Sequence, residues 1–316
     1  MAHFCLIIAG PTGVGKSALA ESLAKTFPCD IINADVGQFY VPLSIGTAKP
    51  DWKNSDIPHH LFDTLATPCN FSVSEYRKKL LQKLHEVWDK NRIPLIVGGS
   101  SFYIRSFFFP PIEIKEEIKQ KPYANQELST ALLWQKLHEV DPIRAQALDK
   151  NDRYRIMRAL TLWHNYQIKP SSLKPVYMPI APYMLIFATR EKQDLYARIN
   201  KRVGTMLDQG WKKEVMQLSD DWKQFVLHKK IIGYNEIMQA LTNEPYNEEL
   251  LKTVIQQKTR QYAKRQLIFW KSLKRDLLAE ASVAEFQAFI HEMNLTLSSL
   301  DLYINEIRAT INNLST

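Results

Sequence analysis

The fold is decided by Phe4-Cys5-Leu6-Ile7-Ile8-Ala9-Gly10-Pro11-Thr12-Gly13-Val14-Gly15-Lys16-Ser17. An apolar run, read as a short buried strand, leads into a glycine-bearing turn. Ala18-Leu19-Ala20 then opens a helix. Residues 10–17 match the pattern G-x-x-x-x-G-K-[ST]. The glycines let the backbone fold tightly enough for several N–H groups to point at one anion, and the following helix adds its positive end. Gly10, Pro11, Thr12, Gly13, Val14 and Gly15 therefore form a candidate phosphate cradle. Lys16 supplies a point charge, and the Ser17 hydroxyl is placed to meet a Mg²⁺. The motif implies a polyphosphate ligand without saying which one.

Working outward, Asp30-Ile31-Ile32-Asn33-Ala34 reads as a second buried strand ending at Asp35. Loops at the C-terminal ends of parallel strands line the ligand crevice of open α/β sheets, which places Asp35 near the phosphate loop. A carboxylate there can hold Mg²⁺ water or act as a general base. The competing reading is a helix N-cap. Ile93-Pro94-Leu95-Ile96-Val97 is a third buried strand and ends in Gly98-Gly99-Ser100. A nucleoside triphosphatase usually carries a Mg²⁺-linked Asp at such a strand end. Two glycines and a serine weaken that reading and make Ser100 a polar candidate beside the phosphates.

Between these strands, Ile45-Gly46-Thr47-Ala48-Lys49-Pro50 is a loop punctuated by Gly and Pro. His59 and His60 tempt a metal reading. As adjacent residues they point apart and have no third ligand nearby, so a structural role is favoured. Ser72-Val73-Ser74-Glu75 has capping-box spacing and predicts a helix to about Asn91. From about Ile112 to Pro182 strand signals are absent and the chain looks helical, which suggests an insertion. Tyr183-Met184-Leu185-Ile186-Phe187-Ala188 returns as a strand with Arg190 just beyond it. Arg198 and Arg202 share one face of the next helix, and two guanidiniums so placed suit diphosphate oxygens or a surface ion-pair face. A long helix from near Asn247 puts Leu251, Ile255, Tyr262, Phe269 and Leu273 in one arc. It puts Arg260, Lys264, Lys271 and Arg275 opposite them. The tail from Asp276 to Thr316 is amphipathic and uninformative.

The chain has 316 residues and a net charge of +8. Between Arg190 and Arg275 there are 18 Lys and Arg against 10 Asp and Glu, an excess equal to that of the whole chain. A polyanionic partner is one reading of that region and a solvated helical surface the other. The three cysteines have no metal-type spacing, and no apolar run approaches a membrane span. The apolar strand at Phe4 leads straight into the phosphate loop and is not a signal peptide. These features together predict a cytoplasmic protein with no membrane partner.

The ordered set as a whole resembles the tRNA dimethylallyltransferases, the bacterial tRNA isopentenyltransferase family. It includes the phosphate loop, Asp35-x-x-Gln38-x-Tyr40, Ile45 to Pro50 and Pro58-His59-His60-Leu61. Gly98-Gly99-Ser100-x-x-Tyr103, Asp141-Pro142 and Asn151-Asp152-x-x-Arg155-x-x-Arg158-Ala159-Leu160 follow. The last parts are Gly233-Tyr234 and Thr259-Arg260-Gln261-x-Ala263-Lys264-Arg265-Gln266. The resemblance implies a P-loop-type α/β fold, a parallel sheet core flanked by helices over residues 1–111 and 183–316. It implies an inserted helical tRNA-binding domain over 112–182.

It further implies transfer of a dimethylallyl group from dimethylallyl diphosphate to N6 of the adenosine 3′ of the anticodon, with Mg²⁺ as cofactor and a monomer as the active form. Asp35 is then the base, and Ser100 stands as a hydroxyl near the reacting groups. Arg202 joins the phosphate loop at the diphosphate. By the same resemblance, tRNA is met by Asp35, Val36, Gly37 and Gln38, and by Tyr154, Arg155, Ile156, Met157 and Arg158. Lys230, Gly233 and Tyr234 belong to this set too, with Arg260, Lys264, Arg265, Gln266 and Lys271. Val36, Val41-Pro42 and Asn235 depart from the usual family residues, and the zinc finger of eukaryotic relatives is absent. The rival readings are a small-molecule kinase, an isopentenyltransferase acting on free adenine nucleotides, and a non-catalytic RNA-binding module.

Overall fold

The computed structural model describes residues 3–111, 127–242, 247–280, 288–297, 304–305 and 307–309. The expected helical character of residues 112–126, and the tail beyond 309, lie outside them. The chain divides into two compact units, one of Met1–Phe109 with Met178–Thr316 and one of Pro110–Tyr177. Met178 and Ile180 donate their N–H groups to Phe108 O and Phe107 O, which fastens the returning chain to the first unit.

The first unit is built on six parallel strands. They are β1 (Cys5–Ala9), β2 (Cys29–Asn33), β3 (His59–His60), β4 (Ile93–Gly98), β5 (Tyr183–Thr189) and β6 (Ala288–Asn294), in the spatial order β3-β2-β4-β1-β5-β6. Every residue of β1 and β2 is buried, as expected of parallel strands covered on both faces. The helices of this unit are α1 (Lys16–Thr26), α2 (Val73–Trp88) and α3 (Ser101–Phe108) before the insertion. After it come α7 (Lys192–Asp208), α8 (Trp211–Met216), α9 (Asp220–Lys229), α10 (Tyr234–Thr242) and α11 (Glu248–Glu280). The intervening α4 (Thr130–Val140), α5 (Pro142–Gln146) and α6 (Arg153–Tyr166) make up the second unit. They pack around Leu133, Leu137, Ile156 and Leu160.

Local sequence accounts for much of this. Ser72 accepts from Glu75 N while Glu75 accepts from Ser72 N, so α2 starts on the expected capping box. The main core joins Leu6 and Ile8 of β1, Leu19 and Leu23 of α1, Met184 and Ile186 of β5, and Ile199 of α7. A second cluster gathers Trp211, Trp222, Tyr234, Leu251 and Ile255 from the later helices.

Asp30, fully buried on β2, takes His60 Nε2 at 2.8 Å and also pairs with Arg92. Burial pushes its carboxyl upward, but the hydrogen bonds from His60 and Arg92 outweigh it and hold the group below its usual range. His60 thus pins the edge strand β3 to β2, while the His59 ring is held by Ile57 O.

Two elements differ from the sequence reading. The tail contributes β6, which pairs with β5 from Tyr183–Ala288 to Thr189–Asn294. As an edge strand it carries polar residues and lacks the continuous apolar run that marks β1. In α11 the buried stripe runs Leu251, Ile255, Thr259, Ala263, Gln266, Trp270, Leu273 and Leu277. Tyr262 and Phe269 lie at the edge of that stripe and are only half-buried.

Candidate active site

The loops that follow β2, β4, β1 and β5 leave four neighbouring strands at the same edge of the sheet. They carry Asp35, Ser100, Lys16 and Arg190 in that spatial order. This is the crevice in which open parallel sheets bind ligands.

Gly13 and Gly15 have φ of 81° and 112°, conformations that other residues seldom adopt, and they bend the loop around the end of β1. A Cβ at Gly13 would also strike Ile199 of α7 at 2.7 Å. Lys16 Nζ donates to Gly10 O at 3.1 Å and Pro11 O at 3.0 Å. Burial lowers its pKa to about 8, against the pull of Asp35 upward and with the help of Arg202 downward. Ser17 is exposed on the first turn of α1.

Three arginines, one just after β5 and two on α7, surround the loop. Arg202 Nη2 donates to Thr12 Oγ1 at 2.5 Å and Arg198 Nε to Gly13 O at 3.2 Å. Arg190 Nε donates to Val14 O at 2.6 Å and its Nη1 to Asp194 at 2.6 Å. Burial lowers the Arg202 pKa from its ordinary value, and its buried Nε has no hydrogen-bond partner. Cationic donors gathered on a strained loop, one of them buried and incompletely satisfied, are suited to a polyanion.

Asp35 precedes a short 3₁₀ turn, Val36–Phe39, but its side chain makes no capping bond. The N-cap alternative is therefore not realised. Its backbone N–H is taken by Asn33 Oδ1 at 2.8 Å, which fixes the turn of the chain after β2. A Cβ built on Gly99 would lie 3.3 Å from Asp35 Oδ2, 3.5 Å from Lys16 Nζ and 2.7 Å from Gln266 Nε2. The bare glycine is thus the open point on which a carboxylate, a cation and an amide converge. Ser100 Oγ accepts from Val36 N at 2.8 Å, tying the β4 loop to the β2 loop and leaving its own proton free to donate. Burial first, then the Asp35 charge, raises the Tyr262 phenol above its usual range. The Tyr262 phenol thus feels the Asp35 charge, an influence that its place in an apolar arc concealed.

The remaining candidates divide by exposure. Val36, Tyr154, Arg155, Arg158, Lys230, Lys264, Arg265 and Lys271 are exposed, while Gly37, Gln38 and Met157 are half-buried. Gln38 Nε2 donates to Thr47 O and Ala48 O, so it holds the 45–50 loop. Ile156 is a core residue of the second unit, and Tyr234 is fully buried with its phenol on Glu214. Gln266 is 3% exposed and has both ends of its amide bonded within the chain. The side chains of these three are packed inside the protein and not presented to a partner. Gly233 lies against the Trp211 ring, with φ of 89°. Arg260 is half-buried with Nη1 on Asn200 at 2.6 Å, so it packs toward α7 and leaves the outward arc to Lys264, Lys271 and Arg275.

Among the described residues no helix is long and apolar enough to cross a membrane. No group of three or more His, Cys, Asp or Glu that could hold a metal occurs among them either.

Fold and site together define a P-loop-type α/β protein whose phosphate loop faces a strand-end carboxylate. The model of the IPP transferase family matches residues 38–273, well over half the chain, and the chain belongs to that family. A protein named tRNA dimethylallyltransferase from Caldanaerobacter subterraneus subsp. tengcongensis is 34% identical over 86% of this chain and 90% of its own. One of the same name from Thermoanaerobacter sp. is 36% identical over the same shares. The solved tRNA delta(2)-isopentenylpyrophosphate transferase of Staphylococcus epidermidis superposes with a TM-score of 0.60 at 27% identity, over 98% of this chain and 99% of that one. A eukaryotic dimethylallyltransferase described as acting on tRNA gives a TM-score of 0.77 at 22% identity, over 98% and 80%, a likeness of fold.

Proposed function

We propose that this chain is a tRNA dimethylallyltransferase. In this reading it moves the dimethylallyl group of dimethylallyl diphosphate to N6 of the adenosine 3′ of the anticodon, acting as a cytoplasmic monomer. The observation that carries the reading is the convergence of Asp35, Lys16 and Gly99 at the crevice, with a serine and no acid after β4. Membership of the IPP transferase family supports it.

The adenine amine is a poor nucleophile because its lone pair is delocalised into the ring. Asp35 Oδ2 accepts the proton as nitrogen bonds to the allylic carbon, help worth on the order of 10²–10⁴ in rate. The carbon–oxygen bond to the diphosphate breaks as the new bond forms, so negative charge grows on the leaving group. Lys16, the N–H groups of the loop and Arg202 take up that charge. Ser100 holds the Val36 backbone and offers its proton to the reacting groups. The target base reaches the crevice only if it leaves its stack, as nucleobase-modifying enzymes require. A Mg²⁺ fits the donor set: oxygen ligands, with the exposed Ser17 hydroxyl at the phosphate loop, are what this ion takes alongside substrate phosphates. When bound it offsets charge on the leaving diphosphate.

The exposed basic residues Lys264, Arg265 and Lys271 supply the polyanion-binding face of this reading, and Lys230, Arg155 and Arg158 supply further cations. The test is transfer of label from dimethylallyl diphosphate to tRNA, run beside AMP as acceptor and ATP as donor. Label in tRNA with Mg²⁺, lost in Asp35→Asn while donor and tRNA still bind, is expected. Turnover of ATP, or label in AMP alone, overturns the reading.

A further inference from the structure

We infer that Gln266 is a positioning residue of the donor site: it fixes the separation of the phosphate loop from the β4 loop, and it does not read tRNA. The inference rests on the proposed transferase reading.

Gln266 lies on the buried stripe of α11, on the face away from Lys264 and Arg265. Its Oε1 accepts from Thr12 N at 2.8 Å and its Nε2 donates to Gly99 O at 2.7 Å. Thr12 belongs to the loop after β1 and Gly99 to the loop after β4, and these strands are neighbours in the sheet. One amide therefore spans the mouth between them. The bridge continues sideways, because Thr12 Oγ1 accepts from Arg202 Nη2 at 2.5 Å. Arg202, Thr12, Gln266 and Gly99 thus form a single chain of bonds from α7 through the phosphate loop to α11 and the loop after β4.

An amide meets both demands. It must accept from a backbone N–H at one end and donate to a backbone carbonyl at the other. A carboxylate would face the Gly99 carbonyl with a second acceptor, and an alkyl chain would leave both backbone groups unpaired. The Thr12 N–H is committed to Gln266, so anion binding falls to the N–H groups further along the loop. The Gly99 end adjoins Asp35 Oδ2 and Lys16 Nζ, which approach the same point. Displacing the Gln266 amide therefore shifts the donor side against the base that must meet it.

The experiment compares the parent with Gln266→Glu and Gln266→Met. It uses calorimetric titration of inorganic pyrophosphate with Mg²⁺, filter binding of a tRNA transcript, and steady-state kinetics. Roughly tenfold weaker pyrophosphate binding, a raised donor KM and a lowered kcat are expected, with tRNA affinity within about twofold of the parent. In the parent, ¹⁵N-glutamine labelling should show the Gln266 side-chain NH₂ protected from hydrogen exchange before any tRNA is added. Loss of tRNA affinity with pyrophosphate binding intact, or unchanged pyrophosphate binding and kinetics, overturns the inference. So does an NH₂ that exchanges freely until tRNA is present, a measurement that needs no variant to fold. A parent that binds no pyrophosphate overturns the transferase reading as well, which separates the two failures.

Discussion

The Tyr234 phenol donates to Glu214 Oε1 at 2.6 Å, and the same carboxylate accepts the backbone N–H groups of Ser44, Ile45 and Gly46. One side chain of α8 therefore closes the tip of the 44–48 loop. That loop in turn receives Gln38 through Thr47 O and Ala48 O, three residues after Asp35. Glu214→Ala is expected to leave these N–H groups unpaired, at a cost on the order of 2–3 kcal/mol. Thermal melting should record the loss, with a smaller fall in transfer rate. An unchanged melting temperature would show that water satisfies the loop equally well.

Gly99→Ala should be more damaging to catalysis than to folding. Its methyl would enter the point shared by Gln266 Nε2, Asp35 Oδ2 and Lys16 Nζ. A fall in single-turnover transfer rate of at least tenfold, with near-parental tRNA binding, is the expected result. Gly98→Ala makes the contrasting case, since its methyl would meet the backbone oxygen of Ala34 and force β4 from β2. That variant should lose stability first.

The lowered Lys16 pKa gives donor binding a pH dependence whose sign is fixed. Protonated lysine attracts the diphosphate, and the free protein loses that proton as pH rises through about 8. Relative to Lys16→Met, the parent's advantage in pyrophosphate affinity should shrink between pH 7 and pH 9. Titrations of both proteins across that window check it. An advantage that grows with pH would contradict the assignment.

Charge on α11 should appear in the salt dependence of tRNA binding. Replacing Lys264 and Lys271, both exposed, by alanine is expected to weaken tRNA binding and to reduce the slope of log affinity against log salt by roughly one to two. Pyrophosphate binding should remain. Unchanged affinity and slope would identify this face as a solvated surface.

What could be read from the sequence follows from how locally each feature is encoded. The β1 run, the glycine turn and the 72–75 capping box act within a few residues, so their pattern is their structure. A rule about strand ends places Asp35 and needs no partner residue. No such rule places Arg260, because its direction depends on Asn200 of another helix. Ile156, Tyr234 and Gln266 belong to motifs that name a position without saying which way its side chain turns. The edge strand β6 depends on a ladder with β5 that its own mixed composition does not announce.

The bonds of Thr12 reach far along the chain. Its hydroxyl partner, Arg202, comes 190 residues later, and its backbone partner, Gln266, 254 residues later. During synthesis the motif is made well before Arg202 and Gln266, the residues that clamp it. A nascent chain thus carries a recognisable phosphate loop, without a finished donor site, until both have been added. A chain cut short before Gln266 would keep the phosphate-loop signature and its Arg202 contact but lack the amide that ties the loop to Gly99.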